Sequence, residues 1–157
     1  MRIKLICIGK TDQAYLSEGE QRYLKRIVHY VPLEKIELPD IKHQKKYSQE
    51  QIKQLEGKEI LDRLQSTDIV YLLDERGKTY TSKAFSQFLQ QQFNSGQKQL
   101  VFIIGGAYGF SEELYARAKG MVSLSNMTFS HQMIRLFFLE QVYRGMTIIK
   151  GEPYHHG

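Results

Sequence analysis

The chain from Leu100 to Phe129 reads LVFIIGGAYGF, then SEELYARAKG, then MVSLSNMTF. An apolar run of strand length ends in Gly105-Gly106, and Gly109 follows three residues later. A short polar helix comes next. A second strand-like run, Met121 to Leu124, then opens into the polar loop Ser125-Asn126-Met127-Thr128-Phe129. Strand, helix and strand in succession form the unit of a parallel sheet. Both runs end where ligands sit in such sheets, beyond the carboxyl ends of the strands. Glycines there remove the Cβ that would hold a ligand off the backbone, so this stretch is the site candidate.

The same alternation extends outward to both ends. Arg2 to Ile8 reads as a buried strand ending at Gly9. Asp12 is placed to cap a helix from Gln13 to Tyr30, with Tyr15, Leu16, Tyr23, Leu24, Ile27 and Val28 at helical spacing. Arg22, Lys25, Arg26 and His29 lie on its other side, either a solvated face or a phosphate-contacting one. Pro32 breaks that helix, Leu33 to Leu38 reads as a strand, and the basic loop Ile41 to Tyr47 follows Pro39-Asp40. Ser48 through Gln51 fits a capping box for a helix to about Gln65. Asp68 to Asp74 is the next strand, followed by an expected turn at Glu75-Arg76-Gly77-Lys78. A helix from Ser82 to Asn94 presents Phe85, Phe88, Leu89 and Phe93 on one face, and Gly96 ends it. Ser111 caps a helix to Lys119, and the last helix runs from His131 to Lys150. The expectation is one α/β domain over residues 1–157, with a mostly parallel sheet and right-handed crossovers.

Composition narrows the function classes. The net charge of +5 and pI of about 9.2 raise the prior for a nucleic-acid partner without proving one. The single cysteine, Cys7, cannot form an internal disulfide, no run reaches membrane-span length, and the opening run is too short for a signal peptide. These features point to a cytoplasmic protein without a membrane. His131, His155 and His156 have no partners at ligand spacing, so no metal is expected. No nucleophile elbow is visible. The glycine turn matches neither the dinucleotide fingerprint, which needs a glycine at Ile104, nor a P-loop, which needs a following Gly-Lys-Ser/Thr.

The last helix carries apolar residues all round: Met133, Ile134, Leu136, Phe137, Phe138, Leu139, Val142, Met146, Ile148 and Ile149. Such a helix is expected to be buried on every side, its second face against another subunit. Glu140, Arg144 and Thr147 form one polar stripe, and His131 with Arg135 another beside the Ser125–Phe129 loop.

Taken together, Ile103-Ile104-Gly105-Gly106-Ala107-Tyr108-Gly109, Leu124 through Gln132, Arg135, Glu140-Gln141-Val142-Tyr143-Arg144 and Tyr154-His155 resemble the RlmH family. The resemblance extends to the opening strand ending Ile8-Gly9-Lys10 and to Leu73-Asp74 with Gly77-Lys78, and departs at Ser130, where many relatives carry proline. These are small SPOUT-class methyltransferases with a trefoil-knotted α/β fold. The resemblance implies a homodimer that uses S-adenosylmethionine to methylate N3 of a pseudouridine in large-subunit ribosomal RNA on the ribosome. It implies cofactor contacts from Leu73, Gly105, Leu124, Ser125, Asn126, Met127, Thr128 and Phe129. The imide-like N3–H needs a base or a cationic neighbour that favours its anion, and Glu140, Arg144, Tyr154 and His155 are the candidates. Two alternatives stay open at this point: a SPOUT enzyme acting on tRNA or a ribose oxygen, and a non-catalytic ribosome-binding protein.

Overall fold

In the computed structural model, which describes residues 1–157, five strands form one parallel sheet in the order β2-β1-β4-β3-β5. The strands are β1 (Arg2–Ile8), β2 (Leu33–Leu38), β3 (Ile69–Thr79), β4 (Gln99–Ile104) and β5 (Gly120–Ser123). The connecting helices are α1 (Ala14–Ile27), α2 (Gln49–Leu61), α3 (Ser82–Phe93) and α4 (Glu112–Arg117), and α5 (Met133–Lys150) follows the last strand. The direction of travel across the sheet reverses at each crossover. A right-handed connection must then place successive helices on alternate faces. The two cores show this: α1, α3 and α5 contribute to one, α2 and α4 to the other.

Alternation along each central strand divides its side chains between these cores. Ile3, Leu5, Cys7, Leu100, Phe102 and Ile104 point toward the α1–α3–α5 face, while Ile6, Ile8, Val70, Leu72, Val101 and Ile103 point toward α2 and α4. A strand buried on both faces is apolar at every position, which is why these runs carry no polar alternation. Burial also pushes the Cys7 thiol up to about 11, so it packs as an inert hydrophobe.

Local rules set most helix ends. The Ser48–Gln51 capping box is present, with Gln51 N–H donating to Ser48 Oγ at 3.1 Å and Ser48 N–H to Gln51 Oε1 at 2.9 Å. Ser111 Oγ accepts from Leu114 N–H at 3.3 Å. Asp12, however, is not a cap. The residue before α1 is Gln13, whose side chain makes no capping bond, and Asp12 N–H donates instead to Gln132 Oε1 at 2.9 Å. The helix that Ser111 opens also stops early, at Arg117, because Ala118 is already extended.

The expected turn at Glu75–Lys78 lies inside a strand. Val122 of β5 pairs with both Leu73 and Lys78 of β3, so Asp74 through Gly77 bulge out of the ladder. A Cβ at Gly77 would stand 2.6 Å from the Met121 carbonyl carbon, so only glycine lets the strand rejoin.

The last helix is buried on one side rather than on all. Phe138, Leu139, Val142 and Met146 enter the core between α1 and α3, where Gly145 admits the Leu89 side chain. Met133, Phe137, Glu140, Gln141, Arg144 and Ile148 recur at helical spacing along the opposite side and are only half-buried. Within this chain, that outer stripe is covered only in part, by Phe129 against Phe137, Ser82 on Gln141, and Tyr154 and His155 on Arg144.

Arg135 ties α5 to the sheet. Its guanidinium donates to the carbonyls of Ile8 at 2.7 Å, Gly9 at 2.9 Å and His131 at 3.2 Å, and to Thr11 Oγ1 at 3.2 Å. Glu37 lies 3.6 Å away, and Lys35 joins Glu37 to Glu20. Two cations and two carboxylates therefore neutralise each other beneath α5. Arg135→Met removes the charged donor of three carbonyls and leaves Lys35 alone to balance the buried Glu20 and the more exposed Glu37, a loss of about 3–5 kcal/mol. Urea unfolding followed by circular dichroism measures it, and a loss under about 1 kcal/mol, the scale of a single hydrogen bond, contradicts the role.

Candidate active site

The carboxyl ends of β3, β4 and β5 surround a cavity of about 560 Å³, within the range of small-molecule sites. Leu73, Ile104, Val122, Leu124, Phe129 and Ile134 supply apolar wall, and the Asp74–Arg76 bulge and the Gly105–Gly109 loop form the rim. The loop after β5 is held closed from two sides. Met127 N–H donates to Ser125 Oγ at 3.0 Å, and Thr128 Oγ1 donates to Glu75 Oε2 at 2.5 Å. Met127 itself is 76% exposed at the mouth. The amides of Ala107, Ser125 and Asn126 donate no hydrogen bond within the chain, leaving backbone donors beside the cavity.

Seven of the eight expected cofactor contacts, Leu73, Gly105, Leu124, Ser125, Met127, Thr128 and Phe129, line this cavity; Asn126 does not and is exposed. Sequence reading missed the polar half of the site. Asp74 accepts from Arg76 N–H at 2.9 Å and from Tyr115 Oη at 2.7 Å. Burial pushes the Asp74 carboxyl up, but the hydrogen bonds from Arg76 and Tyr115 outweigh it and hold the group below the usual range. The signal for Asp74 through Arg76 is the charge cluster in a supposed turn. Tyr115 gives none, since an aromatic on α4 reads as core.

Packing beneath the loop gives its glycines a second reason besides the approach of a ligand. A Cβ on Gly105 would meet the Phe110 ring at 3.0 Å, and one on Gly106 would meet the Glu56 carboxylate at 2.6 Å. The crowding comes from the protein's own side chains beneath the loop. Glu56 is 5% exposed, and its Oε1 has no hydrogen-bond partner. Burial, with the charge of Asp40, pushes its carboxyl up to about 7.

The four proposed catalytic residues form one cluster, on the outer stripe of α5. Arg144 donates to Glu140 Oε1 at 2.7 Å, Tyr154 Oη lies 3.4 Å from the same oxygen, and Arg144 Nη1 lies 3.1 Å from His155 Nδ1. Arginine can only donate, so Nδ1 accepts and the proton of the neutral ring sits on Nε2. Burial, the hydrogen bond with Tyr23 and the negative charge of Glu140 push the Tyr154 phenol up, so it keeps its proton at neutral pH. The final residues are well anchored. Tyr154 stacks edge-on against Tyr143 with centroids 4.7 Å apart, lies 4.8 Å under the Arg144 guanidinium, and meets Tyr23 Oη at 3.2 Å.

This cluster is not in the large cavity. Ile134 lines the cavity and Arg144 lies ten residues later, about 15 Å along the helix. Only Glu140 approaches, lining a smaller cavity of about 250 Å³ that shares the Val122–Leu124 and Phe129 wall. No group of three or more His, Cys, Asp or Glu residues is gathered closely enough to hold a metal ion, and no helix is long and apolar enough to cross a membrane.

Residues 1–155 match the family model described as "Predicted SPOUT methyltransferase". Curated proteins named "Ribosomal RNA large subunit methyltransferase H" are similar over 99% of this chain. Those of Flavobacterium johnsoniae and Christiangramia forsetii are 56% and 53% identical, each over 99% of its own length. The one from Cytophaga hutchinsonii is 53% identical over 100% of its length. Among solved structures, the SpoU methyltransferase AviRb of Streptomyces viridochromogenes, in complex with the cofactor AdoMet, aligns with a TM-score of 0.42 and 11% identity over 96% of this chain and 61% of its own, a likeness too weak to bear on the chemistry.

Glu56 gives the site a measurable pH signature. Its carboxyl, ordinarily near 4.5, is raised to about 7 in the folded chain. The native state therefore keeps a proton that the unfolded chain has released, and stability falls as pH rises through that window. Glu56→Gln should remove this decline. Its melting temperature should match the wild type at about pH 5 and exceed it at about pH 8. The same difference at both values contradicts the assignment.

Proposed function

This chain belongs to the SPOUT methyltransferase family, and we propose that it is a single methyltransferase domain, residues 1–157, that uses S-adenosylmethionine to methylate N3 of a pseudouridine in large-subunit ribosomal RNA on the ribosome. The observation that carries this reading is full-length similarity to ribosomal RNA large subunit methyltransferases H together with a cavity built from the expected residues. The cavity suits the cofactor's chemistry. Its apolar wall fits an adenine ring, the free amides of Ala107, Ser125 and Asn126 offer donors at its edge, and the carboxylates of Asp74 and Glu75 suit hydroxyl and cationic groups. When bound, S-adenosylmethionine supplies the activated methyl group, and the protein must orient the acceptor and manage one proton.

The α5 cluster fits that second task. Arg144 brings a cation and His155 brings an Nε2–H donor, both suited to the oxygens flanking N3 of a deprotonated ring. Glu140, held by Arg144 and Tyr154, is the one anionic acceptor in the cluster. The proton leaves N3 toward a carboxylate or water while the cationic side stabilises the ring anion. The two halves of this site stand too far apart within one chain. We therefore infer a homodimer in which α5 stripes face each other and the tail of one copy serves the cavity of the other. The half-buried apolar residues Met133, Phe137 and Ile148 on that stripe support it. The chain path from β4 through β5 to α5 is compatible with the trefoil knot that the resemblance implies, and the predicted location is the cytoplasm, where ribosomes are.

Purified protein should add one methyl group to a pseudouridine of ribosomes that lack the modification, read by mass mapping of the ribosomal RNA. Methylation of tRNA or of a ribose instead would overturn the substrate. Removing Tyr154 to Gly157 should abolish transfer while cofactor affinity, measured by calorimetry, stays near the wild-type value. Transfer at the full rate would return the tail to a structural role. Complementation tests the shared site directly. Ser125→Trp fills the cavity of one chain and the truncation removes the tail of the other, so each homodimer is inactive. Co-expressed heterodimers should regain activity through their one intact pairing. A mixture as inactive as its parts contradicts the shared site.

A further inference from the structure

We propose that the exposed basic stripe of α1 and the turn after it, Arg22, Lys25, Arg26 and His29, is the surface on which the phosphate backbone of the RNA substrate lies. The inference deepens the methyltransferase reading and rests on its RNA substrate. The four residues recur at positions i, i+3, i+4 and i+7, which places them on one line along the helix. All four are exposed, and none forms an ion pair within the chain. Glu20, on the opposite side of α1, is buried and committed to Lys35. Glu18, the one other acidic residue on the helix, is exposed four residues before Arg22 and forms no ion pair, and Glu152 after α5 accepts from the Tyr30 hydroxyl. Arg22, Lys25 and Arg26 thus outnumber the one carboxylate on this line, a net positive charge of the kind that gains free energy by displacing counterions from phosphates.

A second observation gives the stripe its place. The Arg26 guanidinium lies over the rings of both Tyr23 and Tyr143, 5.9 and 5.6 Å from their centroids. Tyr23 and Tyr143 in turn hold Tyr154. The basic line therefore runs into the cluster that carries Glu140, Arg144 and His155 without a gap. A strand laid along it would reach the reactive tail at one end. The other basic group, Lys42, Lys45 and Lys46, sits on the loop after β2 and does not touch the tail cluster.

The double variant Arg22→Gln/Lys25→Gln removes two cations and spares Arg26, whose position over the rings supports the tail. Binding to unmodified large ribosomal subunits, and separately to protein-free large-subunit ribosomal RNA, is measured across a salt series. The slope of log affinity against log salt should become shallower by about 2 on both probes, about 1 for each phosphate no longer neutralised. Lys45→Gln/Lys46→Gln should leave the slope as it is. An unchanged slope in the α1 variant, or a shallower slope only in Lys45→Gln/Lys46→Gln, overturns the proposal. A slope that changes on subunits but not on protein-free RNA also overturns it, since the partner is then an acidic ribosomal protein. The underlying reading fails separately: a wild type that transfers no methyl group, while the α1 variant still shows the shallower slope on both probes, loses its activity and keeps this surface.

Discussion

Arg135 has no exposed surface, yet it is one of the largest side chains in the core. Its donors join the last carbonyls of β1 to the first turn of α5, two elements more than a hundred residues apart in sequence. A buried guanidinium is tolerable only when its charge and all its directions are satisfied, and here Thr11, Glu37, Lys35 and Glu20 complete the arrangement. Burial pushes the Glu37 carboxyl up, but the hydrogen bonds from Lys35 and Thr11 prevail and hold it below its ordinary value. The consequence reaches the site. The start of α5 fixes where His131 and Ile134 meet the cavity and where the outer stripe begins. An error of one residue in that register would turn Glu140 and Arg144 by about 100° around the helix.

The site divides its labour along this helix. Strand ends and loops at one end make a cavity with apolar walls, free amides and a carboxylate held ionised by Arg76 and Tyr115. The middle and far end carry a compact chain of hydrogen bonds through Tyr23, Tyr154, Glu140, Arg144 and His155. Within the chain, the two meet only at the small cavity that Glu140 shares with Phe129 and Leu124. A protein of this size gains from such a division. In the proposed homodimer, each copy builds only half of a site that a larger enzyme would assemble from two domains.

Periodicity and punctuation make the sheet legible. Runs apolar at every position indicate strands covered on both faces, Ser48 and Ser111 announce their helices through side-chain oxygens placed to accept from the backbone, and Gly105-Gly106 and the Ser125–Phe129 loop mark strand ends. These are local signals, readable without knowing the partner. Asp12 shows their limit: its residue type suits a cap, yet α1 begins one position later, after Gln13, and the Asp12 N–H donates to Gln132 from the far end of the chain. The bulge at Asp74–Gly77 reads locally as a turn because the strand is interrupted, and only the pairing with β5 shows that it resumes.

What the sequence by itself determined was therefore the alternation of elements, the strand ends around the cavity and the residue types that gather there. Tertiary structure alone decided the rest. It buried Arg135, which helical spacing pairs with His131 in a polar stripe. It turned one side of an all-round apolar helix outward, because the sheet, α1 and α3 can cover only the other. It placed Glu56 under the glycine loop, and it folded the final residues back onto α1 instead of leaving them loose. The physical reason is common to all four. Each depends on contacts between residues far apart in the chain, and the energy of those contacts appears only when packing has brought them within a few ångströms.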